Sequence, residues 1–213
     1  MFATPQPDLD LFLLLNQDWR LGVLDVVLPL FSSRTALFVI LAALIVWRSM
    51  RRGKGQVLYF VLLVLAMGAA DLACSAIKDN VGRVRPEHSI AGAWHRESGQ
   101  WQRLPADFQP VKSQGSSFPS AHAANSAALA LLASMLWPRV RKGLWLLPLV
   151  VGWSRVYLGK HFPTDIVAGW ILGVFVGWLF WRLWRFVALR CGLTLLPEES
   201  YAPYLLPPPG RCR

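Results

Sequence analysis

Acidic residues are scarce in this chain, and so are cysteines. Twelve Asp and Glu stand against 22 Lys and Arg, a formal net charge of +10 over 213 residues. In a soluble protein that balance would raise nucleic acid as a partner. The basic residues do not gather on one helix, however, and no nucleic-acid-binding motif is present, so no nucleic-acid partner is expected. Cys74, Cys191 and Cys212 are odd in number and irregular in spacing. That excludes a disulfide framework and a zinc signature. Cys74 lies in an apolar run and reads as packing. No internal repeat is visible. The opening ten residues, MFATPQPDLD, lack a positive n-region, so no cleavable signal peptide is expected.

Apolar surface is what the chain has in abundance. It is 54% hydrophobic and carries 11 Trp, which fits a polytopic membrane protein whose first partner is the lipid bilayer. The expected fold is all-α, a single-domain transmembrane helix bundle of about five spans plus an N-terminal interfacial helix. Residues 1–25 form the interfacial segment, with a short helix over 7–20 and Trp19 at headgroup level. Spans are expected at 26–48, 57–78, 120–137, 143–158 (bent at Pro148) and 163–185. The clean apolar core of the first, Thr35 to Trp47, is short for a bilayer that needs about 20 residues, so VVLPLFSS upstream must contribute. Residues 79–118 form a polar loop, and 191–213 a proline-rich, irregular tail. Gly169, Gly173 and Gly177, four apart, predict a helix face that admits a close neighbour. Arg48, Arg51, Arg52 and Lys54 follow the first span. Arg139, Arg141 and Lys142 follow the third, and Arg182, Arg185 and Arg190 end the fifth. The positive-inside rule makes that face cytoplasmic. The N-terminus, the 79–118 loop and the 159–162 turn then lie outside, in a bacterium on the periplasmic side of the inner membrane.

Three polar clusters fall on that outer face: KDNVGRVRP (Lys78 to Pro86), FPSAH (Phe118 to His122) and SRVYLGKHFPTD (Ser154 to Asp165). Charge beside hydrocarbon is costly unless it is paired or used. Lys78, Arg85 and Arg155 supply three cations, two of them guanidiniums that fit phosphate oxygens in pairs. Ser120 and the amides of Ala121 and His122 stand at a helix start, which favours an anion. His122 and His161 are each possible acid, base or nucleophile. Asp165 follows His161 by four, on the same helix face, where a carboxylate can orient an imidazole. Each piece has a plainer reading: a lone Lys or Arg at a helix end is an interfacial anchor, Ser120 a helix cap, and His161 with Asp165 a structural hydrogen bond. Their joint occurrence on one face points instead to a phosphoryl-transfer site without a metal. His88 and His95 have no metal-ligand spacing with the other two histidines. Asp71 shares a face with Lys78 and would hold an arginine or a polar network. Asn125 and Ser126 read as interhelical hydrogen bonders.

These residues resemble the type 2 phosphatidic acid phosphatases, or lipid phosphate phosphatases. Their signature is K-x6-R-P, then P-S-G-H, then S-R-x5-H-x3-D. Lys78, Arg85 and Pro86 match the first element. Pro119, Ser120 and His122 match the second, with Ala121 where the family usually has Gly. Ser154, Arg155, His161 and Asp165 match the third. The match covers roughly 70–185. The resemblance implies a metal-independent phosphatase that needs no cofactor. His161 would attack phosphorus and form a phosphohistidine, and Asp165 would orient it. His122 would protonate the leaving oxygen and then activate water. Lys78, Arg85, Ser120, the Ala121 amide and Arg155 would hold the phosphate. The implied substrate is a membrane lipid phosphate, a polyprenyl diphosphate being favoured over phosphatidate, phosphatidylglycerophosphate or a lipid A 1-phosphate. Trp94, His95, Arg96 and Trp101 are the expected headgroup selectors. A transporter or structural protein would leave the clustered charges unused, and the vanadate haloperoxidases that share this anion site are soluble and larger.

Overall fold

The computed structural model describes residues 4–53, 55–110 and 114–190; the expected tail at 191–213 lies outside the described residues. The described residues form eight α-helices: α1 (Gln6–Leu13), α2 (Gly22–Ser32), α3 (Arg34–Arg52), α4 (Gln56–Val81), α5 (Ala121–Leu136), α6 (Arg141–Leu144), α7 (Leu146–Tyr157) and α8 (Pro163–Arg190). Their ends follow local rules. Gly82 takes φ 64° just past α4 and donates its N–H to the Lys78 carbonyl, a left-handed cap. Proline opens α8, where a missing N–H costs nothing. Trp137-Pro138 stops α5. Ser33 Oγ accepts from the Ala36 N–H at 3.2 Å and caps α3.

Helix lengths depart from the five expected spans. Among the described residues, α4 and α8 are each long and apolar enough to cross a bilayer. A third crossing results if α2 and α3, bent by 69° at their junction, act as one span. The first expected span is thus two helices, broken at Ser33. α5 has 16 residues and α7 has 12, below the roughly 20 that a bilayer core demands. For α5 the burial pattern supplies a reason: most of its residues are buried among other helices, and backbone covered by protein need not match lipid thickness.

α5 is the axis of the bundle, packed against α4, α7 and α8. Its small face, Ala123, Ala124, Ala127 and Ala128, is fully buried and meets the glycine stripe of α8. A β-carbon on Gly173 would lie 2.1 Å from the Ala124 carbonyl oxygen, and one on Gly169 would lie 2.5 Å from that of Ser120. Only glycine permits so close an approach. At one end of the bundle, Tyr59, Phe60, Trp181 and Trp184 form an aromatic core with Trp137 against it. There the Gln56 side-chain oxygen accepts from Arg48 Nε and Trp137 Nε1, each at 3.3 Å. The ends of α3 and α5 and the start of α4 therefore meet at one pole, and the three polar clusters meet at the other.

Two features lie outside the all-α expectation or refine it. Residues 79–118 contain an antiparallel hairpin, β1 (Trp94–Glu97) and β2 (Gln100–Arg103), with Trp94 opposite Arg103. The segment expected to be an interfacial helix is α1 followed by a π-helical turn, Leu14–Asp18. Asp8, Phe12 and Asn16, four apart, are all buried against the polar pole, whereas Trp19 is exposed. Asn16 satisfies both ends of its amide. It donates to the carbonyls of Trp94 and Tyr157, each at 2.9 Å, and accepts from Trp94 N–H at 2.8 Å. A buried amide with its partners met fixes the elements it joins, here the hairpin and the end of α7.

Candidate active site

Helix ends deliver the candidate side chains to the polar pole. Lys78 is in the last turn of α4. Arg85 follows the Gly82 cap, and Glu87 fastens it: the Glu87 carboxylate lies 3.7 Å from Arg85 and pairs with Lys160, and the Glu87 N–H donates to the Gly159 carbonyl at 3.0 Å. The loop after α4 is thus tied to the turn that carries His161. Ser120 stands just before the first residue of α5, and its N–H donates to the backbone carbonyl of Asp165 at 3.0 Å, which joins the starts of α5 and α8. Ala121 and His122 are the first two residues of α5. Arg155 lies in the last turn of α7 and is buried. Gly159, at φ 70°, makes the turn that follows; a β-carbon there would meet the Trp94 carbonyl oxygen at 2.4 Å.

The charges converge. Lys78 lies in the fields of Arg85 and Arg155, and His161 in those of Arg155, Asp165 and Arg85. Cations from α4, its following loop and α7 thus stand near enough to act on one another, an arrangement that suits an oxyanion. Ser120 Oγ is buried and makes no hydrogen bond among the described residues, nor does it cap α5, so its hydroxyl is not committed to the helix. His161 is 2% exposed as a residue. Its imidazole pKa is pushed down to about 4, mainly by burial and further by Arg155 and Arg85, against the opposing pull of Asp165. A neutral imidazole at physiological pH has a free lone pair, the form a nucleophile needs. Its Nδ1 lies 3.5 Å from Asp165 Oδ2, at the far edge of a hydrogen bond.

Asp165 itself is held more firmly than the sequence suggests. Its Oδ2 accepts from Ser117 Oγ at 2.6 Å and from the Phe162 N–H at 2.9 Å, and its Oδ1 from Arg83 at 2.6 Å. Arg83, Ser117, Glu87 and Asp8 are site-forming residues that sequence reasoning missed. Arg83 lies inside the KDNVGRVRP cluster, but a loop arginine two residues from Arg85 cannot be told from an interfacial anchor by spacing. Asp8 is 75 residues away from Arg83, and only the docking of α1 joins them.

Other expected residues go elsewhere. Trp94 and Trp101 give their ring faces to Arg20, whose guanidinium carbon is 4.6 and 4.2 Å from the two centroids. Arg20 also pairs with Asp25, and Tyr157 donates to Asp25 at 2.7 Å. The two tryptophans brace the hairpin rather than stand open to a headgroup. His95 is buried and Arg96 donates to the Gly99 carbonyl at 3.1 Å. Beside Arg85, a pocket of about 160 Å³ is lined by Val84, Arg85, His88, Gln114, Gly115 and Ser116. Ser126 donates to the Ala123 carbonyl at 3.0 Å, within its own helix. Asp71 forms no ion pair with an arginine among the described residues.

A bundle whose helix ends gather these motifs defines a class: the chain belongs to the PAP2 superfamily, whose family model matches residues 59–188. Among its relatives, a lipid A 4'-phosphatase of Bacteroides thetaiotaomicron is 37% identical over 138 residues, 60% of this chain and 55% of that protein. A lipid A 1-phosphatase of Rhizobium etli is 30% identical over 148 residues, 67% of this chain and 57% of that protein. The matched segments thus span little more than half the length of these relatives. Crystal structures of similar fold include Aquifex aeolicus LpxE, with TM-score 0.62, 24% identity and coverage of 85% of this chain and 96% of that one. Another is the PAP2-type phosphatidylglycerolphosphate phosphatase of Bacillus subtilis, with TM-score 0.60, 20% identity and coverage of 86% and 89%.

Proposed function

We propose that the protein is an integral-membrane phosphatase that removes phosphate from a lipid phosphate or diphosphate. The observation that carries this reading is the placement of a buried, neutral His161 beside Asp165 and in the fields of Arg155 and Arg85. Lys78, Arg85, Arg155, Ser120 and the first amides of α5 hold the phosphoryl oxygens. His161 attacks phosphorus, the P–O bond to the lipid breaks, and His122 gives the leaving oxygen its proton. His122 then takes a proton from water, which attacks the phosphohistidine and releases phosphate. Stabilisation by fixed cations and amides, aimed where charge develops, needs no metal for this chemistry. The site faces the non-cytoplasmic side of the inner membrane.

Polyprenyl diphosphate is one substrate consistent with a clamp of three cations. Lipid A phosphate is a second, favoured by the relatives of that name, which align over 138 and 148 residues, whereas an undecaprenyl-diphosphatase of Sulfolobus acidocaldarius aligns over 70. The pocket beside Arg85, with His88 and Gln114, is where the remainder of the headgroup sits. Phosphate release by the purified protein from a panel of undecaprenyl diphosphate, lipid A, phosphatidylglycerophosphate and phosphatidate tests the reading. One lipid is expected to dominate, with chelator harmless and vanadate inhibitory. Radiolabelled substrate should leave an acid-labile phosphoenzyme, absent in His161→Ala. In His122→Ala it should form only when the leaving group is acidic, as in a nitrophenyl ester, because general-acid help matters most for a basic leaving oxygen. Phosphoenzyme in His161→Ala, or loss of wild-type activity with chelator, overturns the mechanism.

A further inference from the structure

Asp8 and Arg83, neither of them a signature residue, are buried at the site. Arg83 is 1% exposed and lies between two carboxylates, Asp8 of α1 and Asp165 of α8. Its Nη1 donates to Asp165 Oδ1 at 2.6 Å and to Thr164 Oγ1 at 2.7 Å, and its Nη2 to Asp8 and, at 3.4 Å, to Thr4 Oγ1. The guanidinium carbon stands 4.1 Å from the centroid of the Phe162 ring, which in turn packs on Phe12. Asp8 also accepts from the Thr164 N–H at 2.9 Å and from its hydroxyl at 2.6 Å. That N–H, at the start of α8, has no partner within the helix. A helix of a distant segment thus caps the helix that bears Asp165.

Burying three charges together is costly and is retained where their placement matters. The geometry shows what they place. Asp165 Oδ1 is bound by Arg83, while Oδ2, fixed by Ser117 and the Phe162 amide, points at His161. The carboxylate cannot turn without breaking a buried bond. The charge count matters as well. One guanidinium shared by two carboxylates leaves the trio with net charge −1, so Asp165 keeps negative potential toward the imidazole. Attack on phosphorus makes that ring cationic, and this potential is what stabilises it.

We propose that Asp8 and Arg83 are positioning residues of the phosphoryl-transfer site. Asp8 holds Arg83, Arg83 holds Asp165, and Asp165 sets the orientation and potential of His161, so α1 belongs to the catalytic unit. This rests on the function proposed above. The charged groups felt by His161 are Asp165 on α8, Arg155 on α7 and Arg85 in the loop after α4. His122 on α5 and the Lys160–Glu87 pair stand at the same pole. Replacing Asp8 or Arg83 leaves each of these groups in the chain.

The test is the pH profile of kcat/KM for wild type, Asp8→Asn and Arg83→Gln on the best lipid of the panel, so that the substrate's own ionisation is common to all three. Asp8→Asn removes a negative charge. It disfavours the imidazolium and moves the acid limb to lower pH. Arg83→Gln removes a cation and moves it to higher pH. Both lower kcat by about tenfold or more with KM little changed, as for an interaction that strengthens in the transition state. The double variant is no worse than Arg83→Gln alone, because the two act as one unit. Shifts in opposite directions support the assignment. Unshifted limbs, or limbs shifted the same way, mean that the network only stabilises the fold, and overturn it. If Arg83→Gln does not fold, the isosteric Asp8→Asn decides by the same criterion. A wild type that forms no phosphoenzyme overturns the underlying function and this assignment with it. A wild type that does form it, beside an Asp8→Asn enzyme with normal kcat and profile, overturns this assignment alone.

Discussion

At His161, burial outweighs the pull of the neighbouring carboxylate. Desolvation disfavours the imidazolium, and so do Arg155 and Arg85; Asp165 offsets part of this. The consequence extends to stability. In the unfolded chain the ring takes its proton near pH 6.5, in the folded protein only near 4. As pH falls between those values the unfolded state binds the proton and the folded state refuses it, so stability declines through that window and then levels off. Above pH 6.5 the ring is neutral in both states and the penalty is absent. A His161→Gln protein lacks this dependence. Going from pH 7 to pH 4, the wild type should lose up to about 3 kcal/mol relative to that variant, read as converging or crossing thermal midpoints in detergent. Parallel curves would show that the ring is not held neutral by its surroundings.

At the scale of elements, the contact between α5 and α8 is the hinge between fold and site. Gly169, Gly173 and Gly177 bring the α8 backbone onto the alanine face of α5. The same pair of helices is joined at the site by Ser120 N–H to the Asp165 carbonyl. A methyl at Gly173 cannot be accommodated 2.1 Å from a carbonyl oxygen, so Gly173→Ala should push the helices apart. The expected cost is about 1–3 kcal/mol, as for overpacking, with activity falling in step because Asp165 and Ser120 separate. Gly68 on α4 has nothing within 4 Å of its notional β-carbon. Gly68→Ala should therefore leave the midpoint unchanged or raise it slightly, since alanine is the better helix former. Equal effects of the two substitutions would argue against close packing as the role of the stripe.

At the scale of the molecule, the poles of the bundle differ in chemistry. Arg48, Gln56 and Trp137 join the ends of α3 and α5 to the start of α4 at one pole; the site occupies the other. If the first pole is cytoplasmic, single cysteines placed at 49–53 should react with a membrane-impermeant reagent only after the cell is opened. Cysteines at 96–100, in the hairpin, should react in intact spheroplasts. The reverse pattern would invert the topology and put the site in the cytoplasm.

Much of this was legible without coordinates, because it depends on local pattern. Apolar runs marked α4, α5 and α8 to within a few residues at most of their ends, and the four-residue glycine spacing marked the face that packs. The same spacing of four pointed to the nearness of His161, which lies in the turn before α8 and not on the helix, to Asp165 in its first turn, and the three motifs identified the family. Other features depended on contacts between distant parts of the chain. No local signal separates Arg83 from an anchoring arginine, or tells that Trp94 and Trp101 will be occupied by Arg20. Nor does any signal join Asp8 to Thr164, 156 residues apart. Helix lengths below a full bilayer crossing are likewise a matter of burial: a helix surrounded by protein, as α5 is, is sized by its neighbours and not by the lipid. Periodicity and motif are properties of neighbours in sequence, so the sequence alone determined most of the helix pattern and the signature residues that mark the family. Which charges are shared in the interior is a property of neighbours in space, so the tertiary structure decided how Asp165 is held.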